Sequence, residues 1–180
     1  RAFGAGTVPS SKMAMKAIAT FIRTVLSGNS RYDQYIHGNT SALNAPELRG
    51  MKLFFDTRTQ CAACHSGYNF TDNEFHSTGL FTHYYDKGRH DFTRNPRDVG
   101  KFKTPSLRNI ALTDPYMHDG HLMTLEETLD HYNEGGKQFI NKDDRIVPLN
   151  LTQEEKNDLI AFLKALTDEE LIRNPKFGKK

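Results

Sequence analysis

Only two cysteines occur in the 180 residues, at Cys61 and Cys64. A disulfide framework is therefore excluded, and so is a zinc site of the four-cysteine kind. No apolar run approaches the roughly 20 residues that a membrane-spanning helix needs. Neither sign of charge is in excess: Lys+Arg number 24, Asp+Glu number 22, and the net charge is +2. That balance argues against a protein that binds nucleic acid or a membrane surface through charge. Internal repeats and low-complexity segments are absent. So is a recognisable signal peptide. The chain begins at Arg1 without a methionine, which reads as a processed, nicked or trimmed chain. A length of 180 residues suits one good domain or one and a half small ones, and 37% apolar with 26% charged residues is ordinary globular composition.

What is present is more specific. Both cysteines fall in Cys61-Ala62-Ala63-Cys64-His65, the C-x-x-C-H attachment signature of a c-type haem. Two thiols at this spacing can each form a thioether to a haem vinyl group, and the adjacent imidazole is a good proximal ligand for the iron. A redox disulfide would not need the histidine. The expectation is one covalent haem c held by Cys61, Cys64 and His65. Covalent haem implies attachment in the bacterial periplasm or an equivalent compartment, and hence an exported protein.

Around the motif the pattern is mostly α, a cytochrome c-like haem domain with long loops. Residues 1–10 read as a loop. Ser10 or Ser11 caps a helix expected over 12–27, with Met13, Ala17, Phe21 and Val25 at helical spacing and a stop at Gly28-Asn29. That helix is amphipathic, yet nothing nearby in the sequence partners it. Residues 29–45 read as a linker or short helix. Pro46 and Glu47 open a second helix, whose apolar face is Leu48, Met51, Phe54 and Phe55. Residues 66–103 lack periodicity, and wrapping a large flat cofactor is reason enough for such a loop. Thr124 and Glu127 form a capping box for a helix over 124–133. A second box follows Leu151-Thr152. It starts the last helix, expected to pack on the helix at 46–55, and a charged, peripheral tail follows from Asp168.

Several segments together resemble one family: CHSGYNFTD, the DKGR at 86–89, FKTPSLRN at 102–109, LTDPYMHDG at 112–120 and TLEETLDHYNEGG at 124–136. They are similar to the bacterial dihaem cytochrome c peroxidase/MauG family, and the tyrosine in HYNEGG resembles its MauG branch. The resemblance covers nearly the whole chain. It implies two haem domains, of which this chain carries one motif. Residues 1–40 would be a terminal helix and linker of an N-terminal haem domain otherwise absent from this chain, and 41–180 the C-terminal haem domain. The missing haem would lie on a second haem-bearing chain or a removed N-terminal domain.

For the sixth iron ligand, spacing alone points to Met117, 52 residues beyond His65, with Met123 and His118 as lesser candidates. Met ligation would make an electron-transfer site, although pocket packing is the ordinary role of such a methionine. The resemblance instead implies Tyr132, a hard phenolate donor that favours oxidised iron, and Tyr132 is favoured over Met117. Arg108, or secondarily Arg89, is a candidate partner for a haem propionate, against the ordinary reading of a solvated arginine. The resemblance further implies backbone carbonyls of Thr113 and Pro115 as ligands of a Ca2+ between the domains. The histidines at 37, 76, 83, 90, 118 and 121 carry no regular metal-binding spacing.

One departure matters. The family places an acid for peroxide cleavage on the helix at 12–27, where Ala19-Thr20-Phe21-Ile22 puts an isoleucine. Isoleucine cannot transfer a proton. The implied function is a c-type haem oxidoreductase half that passes electrons to, or stores oxidising equivalents from, a peroxide-reactive partner haem. The alternative is a non-enzymatic electron-transfer subunit, and a MauG-like action on a partner protein is a third reading. The expected partner is a small electron-donor protein or a protein substrate, with no nucleic acid and no membrane span.

Overall fold

The computed structural model describes residues 3, 4, 6 and 8–177. The loop expected over 1–10 lies partly outside those residues, and the last residues of the charged tail lie wholly outside. Helices dominate: α1 (Ser11–Ile22), α2 (Arg31–Ile36), α3 (Ala45–Phe54), α4 (His90–Thr93), α5 (Leu125–Asn133), α6 (Gln153–Lys164) and α7 (Glu169–Arg173). Two short strands, β1 (Phe75–His76) and β2 (Phe102–Lys103), pair antiparallel with Phe75 opposite Lys103.

Local chemistry sets most helix starts. Ser30, Asn44, Thr124 and Thr152 each accept from the backbone N–H three residues on, and the acid at that position returns a bond to the cap. These reciprocal boxes satisfy donors that a helix start otherwise leaves free. Pro46 sits in the first turn of α3, where its missing N–H costs nothing.

α3 crosses α6 as expected, and Gly50 lets the two backbones meet. A methyl group at Gly50 would overlap the Asp158 main chain. Phe54 packs on Phe162 with ring centroids 5.2 Å apart, and Arg49 forks onto Asp158 at 2.7 and 2.8 Å. Phe54, Phe70, Leu129, Leu159, Phe162 and Leu166 belong to the core that these helices share with the haem-motif loop.

Two expectations need correction. α1 ends at Ile22, short of Gly28: the β-branched Thr24-Val25 pair disfavours continuation, and the Thr24 hydroxyl donates to the Phe21 carbonyl at 2.7 Å. No residue of α1 is buried, so its apolar face is left open. Nor is the tail peripheral at its start. Asp168 is buried, caps α7 through Leu171, and accepts from the backbone N–H groups of Gly28 and Asn29 at 2.8 and 3.0 Å. It thus ties the linker after α1 to the body of the domain.

Candidate haem site

α3 delivers the chain to Thr59, whose hydroxyl donates back to the Leu53 carbonyl. Gln60 then adopts a left-handed backbone, and Cys61–Ala63 forms a single tight turn. His65 follows, its N–H bonded to the Cys61 carbonyl at 2.9 Å. The His65 Nδ1 lies 3.0 Å from the Phe70 carbonyl oxygen. A carbonyl only accepts, so Nδ1 carries the proton and Nε2 keeps a free lone pair. Burial pushes the imidazole pKa down, which keeps that lone pair available at neutral pH. Metal-ligating histidines use such a second bond to fix ring orientation.

His65, Cys61, Cys64, Met117 and Tyr132 all line one cavity of about 330 Å3, within the about 300–1,000 Å3 of typical cofactor sites. Leu107 and Ile110, Leu125 and Leu129, Leu159 and Leu163 make its walls largely apolar. The two thiols are unjoined, and burial raises both of their pKa values. α5 presents Tyr132 to the cavity, while its neighbour His131 turns away to the Thr78 carbonyl, 3.0 Å distant. The tyrosine is half-buried at the cavity wall, and burial strongly raises the phenol pKa. Burial thus favours the neutral phenol, and ionisation needs a cation beside it. Met117 sits between pinned neighbours: the Tyr116 hydroxyl donates to the Ile110 carbonyl at 3.1 Å, and His118 stacks on Phe102 at 3.7 Å. Its left-handed φ of +69° is unusual for a non-glycine residue. A covalent haem fits this donor set: two thiols, a neutral imidazole with a free nitrogen, an oxygen or sulfur donor, and an apolar enclosure.

Other expected site residues fall elsewhere. Arg108 does not line the cavity, so it is not placed as a propionate partner. Its Nη1 and Nη2 donate to Asp33 at 2.8 and 2.9 Å and its guanidinium lies over the Tyr68 ring at 4.2 Å. Arg89 stacks on Phe75 at 4.1 Å instead, and Met123 is exposed. Thr113 and Pro115 lie on an exposed loop. Two carbonyls fall short of the six to eight oxygens that Ca2+ takes, so this chain would supply only part of such a site. Ile22 is exposed on α1.

Sequence reading missed Arg145. It lines the cavity, forks onto Asp143 at 2.8 and 2.7 Å, donates to the Ala63 carbonyl at 3.2 Å, and places its Nη2 3.1 Å from the His76 Nδ1. Arg145 holds the Asp143 carboxyl well below the usual range. His76 in turn contacts Asp72 and Asp143, each at 2.8 Å. Cys64, Asp72 and His76 place ligand-type atoms within 4.8 Å of one another. This charged wall stands beside the Cys64 arm of the motif. Asp143 is a local partner, but Ala63 and His76, which bring Arg145 to the motif, lie 82 and 69 residues away in sequence.

Comparison with known proteins places the chain in a haem-binding family. A family model, di-haem cytochrome c peroxidase, matches residues 1–41 and 47–169. MauG of Methylorubrum extorquens is 41% identical over 172 residues, covering 93% of this chain and 48% of MauG. The cytochrome-c peroxidase IdrP1 of Denitromonas iodatirespirans is 38% identical over 191 residues, covering 88% of this chain and 50% of that protein. The crystal structure of a MauG-like protein associated with microbial copper homeostasis superposes with a TM-score of 0.86 at 41% identity, covering 95% of this chain and 61% of that one. The chain belongs to the di-haem cytochrome c peroxidase family, a family of haem oxidoreductases. It spans about half the length of the curated relatives it matches.

Proposed function

We propose that residues 41–180 form the C-terminal haem domain of a dihaem MauG-like oxidoreductase, and that residues 1–40 close off an N-terminal haem domain carried outside this chain. The carrying observation is the convergence of both thiols, the oriented His65 and Tyr132 on one apolar cavity. Cys61 and Cys64 tether one haem, His65 is its proximal ligand and Tyr132 its distal one. The bound haem supplies one-electron chemistry. The chain's own residues do the rest. Phe70 orients the imidazole, the leucine walls exclude water, and Tyr132 gives a hard oxygen donor that favours the oxidised state. The domain passes electrons to a peroxide-reactive partner haem or stores oxidising equivalents from it. Thr113 and Pro115 contribute carbonyls to a Ca2+ completed by the other half. The assembly works in the periplasm, with an electron-donor protein or a protein substrate. Consistent with that, no described helix is long and apolar enough to cross a membrane.

A second reading, an electron-carrier subunit without peroxide chemistry, is favoured by one observation: Ile22 stands where the family places an acid, and it cannot move a proton. Intact mass with denatured haem quantitation of the native material separates the two. Two haems and a second haem-bearing half support the oxidoreductase. One haem with no partner leaves the carrier.

A further inference from the structure

His76, Asp143 and Arg145 line two cavities at once. One is the apolar haem cavity. The other is a polar hollow of about 410 Å3, to which Lys101, Lys142 and Asp144 also belong. The three side chains are thus a partition between the two. They tether no haem and ligate no iron in the reading above.

His76 is engaged at both ring nitrogens. Its Nε2 lies 2.8 Å from the Asp72 carboxylate and its Nδ1 lies 2.8 Å from that of Asp143. Yet the Arg145 Nη2 lies 3.1 Å from the same Nδ1. A guanidinium only donates and a carboxylate only accepts. Nδ1 can therefore satisfy one of these two neighbours at a time. In the neutral ring, Nε2–H donates to Asp72 and Nδ1 accepts from Arg145. In the imidazolium, Nδ1–H donates to Asp143 instead. The fork of Arg145 on Asp143, at 2.8 and 2.7 Å, serves both states. Two protonation states thus share one set of side-chain positions.

The charges around the ring favour the proton. Arg145 holds the Asp143 carboxyl down. Burial alone would raise Asp72, but bonds from the Glu74 backbone N–H and from His76 outweigh it. Two carboxylates against one guanidinium leave the cluster at −1 with a neutral ring and at zero with an imidazolium. The nearby lysines have other partners. Lys101 pairs with Asp98 at 3.6 Å, Lys142 donates to the Gly135 carbonyl at 2.7 Å and Lys103 to the Thr104 carbonyl at 3.0 Å. Asp144 adds a further acid on the hollow side. On the haem side, Cys64 is a thioether once haem is attached and no longer titrates. Burial lowers the His65 pKa, and charge on His76 lowers it further, so that charge is felt across the cavity wall. A metal ion is a poor occupant of the Cys64–Asp72–His76 cluster, since haem takes the thiol and Arg145 repels a cation.

Reduction of haem iron adds one negative charge to an apolar enclosure, where charges interact strongly. We infer that His76 takes up a proton from the polar hollow when this haem is reduced and returns it on oxidation, so that electron transfer here is coupled to a proton. The inference deepens the haem-domain reading and rests on it. The step balances: the electron-donor protein loses one electron, ferric iron becomes ferrous, and one N–H bond forms at His76 Nδ1 with a proton from solvent. Arg145 gives up its bond to Nδ1, and Asp143 accepts the new one.

The test is spectroelectrochemistry of the holo protein between about pH 5 and 8, the range in which histidine changes charge. The imidazolium favours ferrous iron, so the midpoint potential falls as pH rises. In weakly buffered solution with a pH-indicating dye, reduction takes up part of a proton per electron. His76→Gln flattens the potential against pH and lowers that uptake at least twofold, with haem content and ferric spectrum unchanged. Asp72→Asn removes one anion beside the ring, keeps His76, and moves the pH-dependent region toward acid. Both comparisons are repeated in the Tyr132→Phe background, so that protonation of a released phenolate cannot imitate the effect. Proton uptake and a pH profile that are unchanged in His76→Gln overturn the inference, as does loss of the effect in the Tyr132→Phe background. Should His76→Gln fail to hold haem, Asp72→Asn decides alone: an acid shift supports the coupling and an unmoved profile overturns it. Absence of covalent haem in the wild type defeats the haem-domain reading instead, and the denatured haem count reads that separately.

Discussion

Gly50 lies against the backbone of Asp158 with no space between them for a methyl group. This contact fixes how closely α3 approaches α6, and therefore where α3 hands the chain to Cys61. Gly50→Ala forces the helices apart and is expected to destabilise the domain by about 1–3 kcal/mol, the usual cost of overpacking. Urea unfolding of the holo protein reads this directly. Haem incorporation should fall with it, since the motif moves with α3.

Tyr132→Phe removes the oxygen donor and leaves the ring. The ferric optical spectrum should change, while Met117→Leu should leave it as it was. The reverse pattern would assign the ligand to Met117, which also lines the cavity.

Arg108 and Asp33 are both buried, at 5% and 3% side-chain exposure. Arg108→Ala strands the Asp33 carboxylate, a change that typically costs about 3–5 kcal/mol. The spectrum should survive, because the pair lies outside the cavity. The pair also sets a pH dependence. Burial alone would raise the Asp33 pKa, but bonds from Arg108 and Ser30 outweigh it and the net direction is down. A carboxyl depressed on folding contributes stability that is fully present above its unfolded value, about 3.9. That contribution is lost as pH falls below it through the folded value. Acid unfolding of Asp33→Asn should therefore be shallower than that of the wild type below about pH 4.

Arg145 places a cation at the cavity wall beside Ala63. Removing it in Arg145→Gln leaves Asp143 unopposed and favours the more positively charged, oxidised iron. The midpoint potential should fall, most at low salt, where screening is weak. Spectroelectrochemistry of the holo protein measures the shift, and an unchanged or raised potential would remove Arg145 from the site.

Features whose partners are close in sequence could be read without coordinates. The C-x-x-C-H run, the Thr124–Glu127 and Thr152–Glu155 boxes and the apolar stripe of α6 are of this kind. Each is set within a few residues by covalent spacing or one helical turn, and the two boxes and the α6 stripe fell where they were read. The pairing of α3 with α6 was legible too, since two amphipathic helices need each other's apolar faces. Other features depend on chain segments meeting from far apart. Arg108 is an arginine beside an apolar residue in any local view, and Asp33, 75 residues away, makes it half of a buried ion pair. Asp168 read as the start of a polar tail until the backbone of Gly28, 140 residues away, was found bonded to it. The Asp143–Arg145 fork is local, but its meeting with His76, 69 residues from Arg145, had no local signature. Covalent chemistry and helix capping are short-ranged and written in contiguous residues. Where a charged side chain ends depends on which distant carboxylate the packing brings beside it, and that emerges only once the chain has folded.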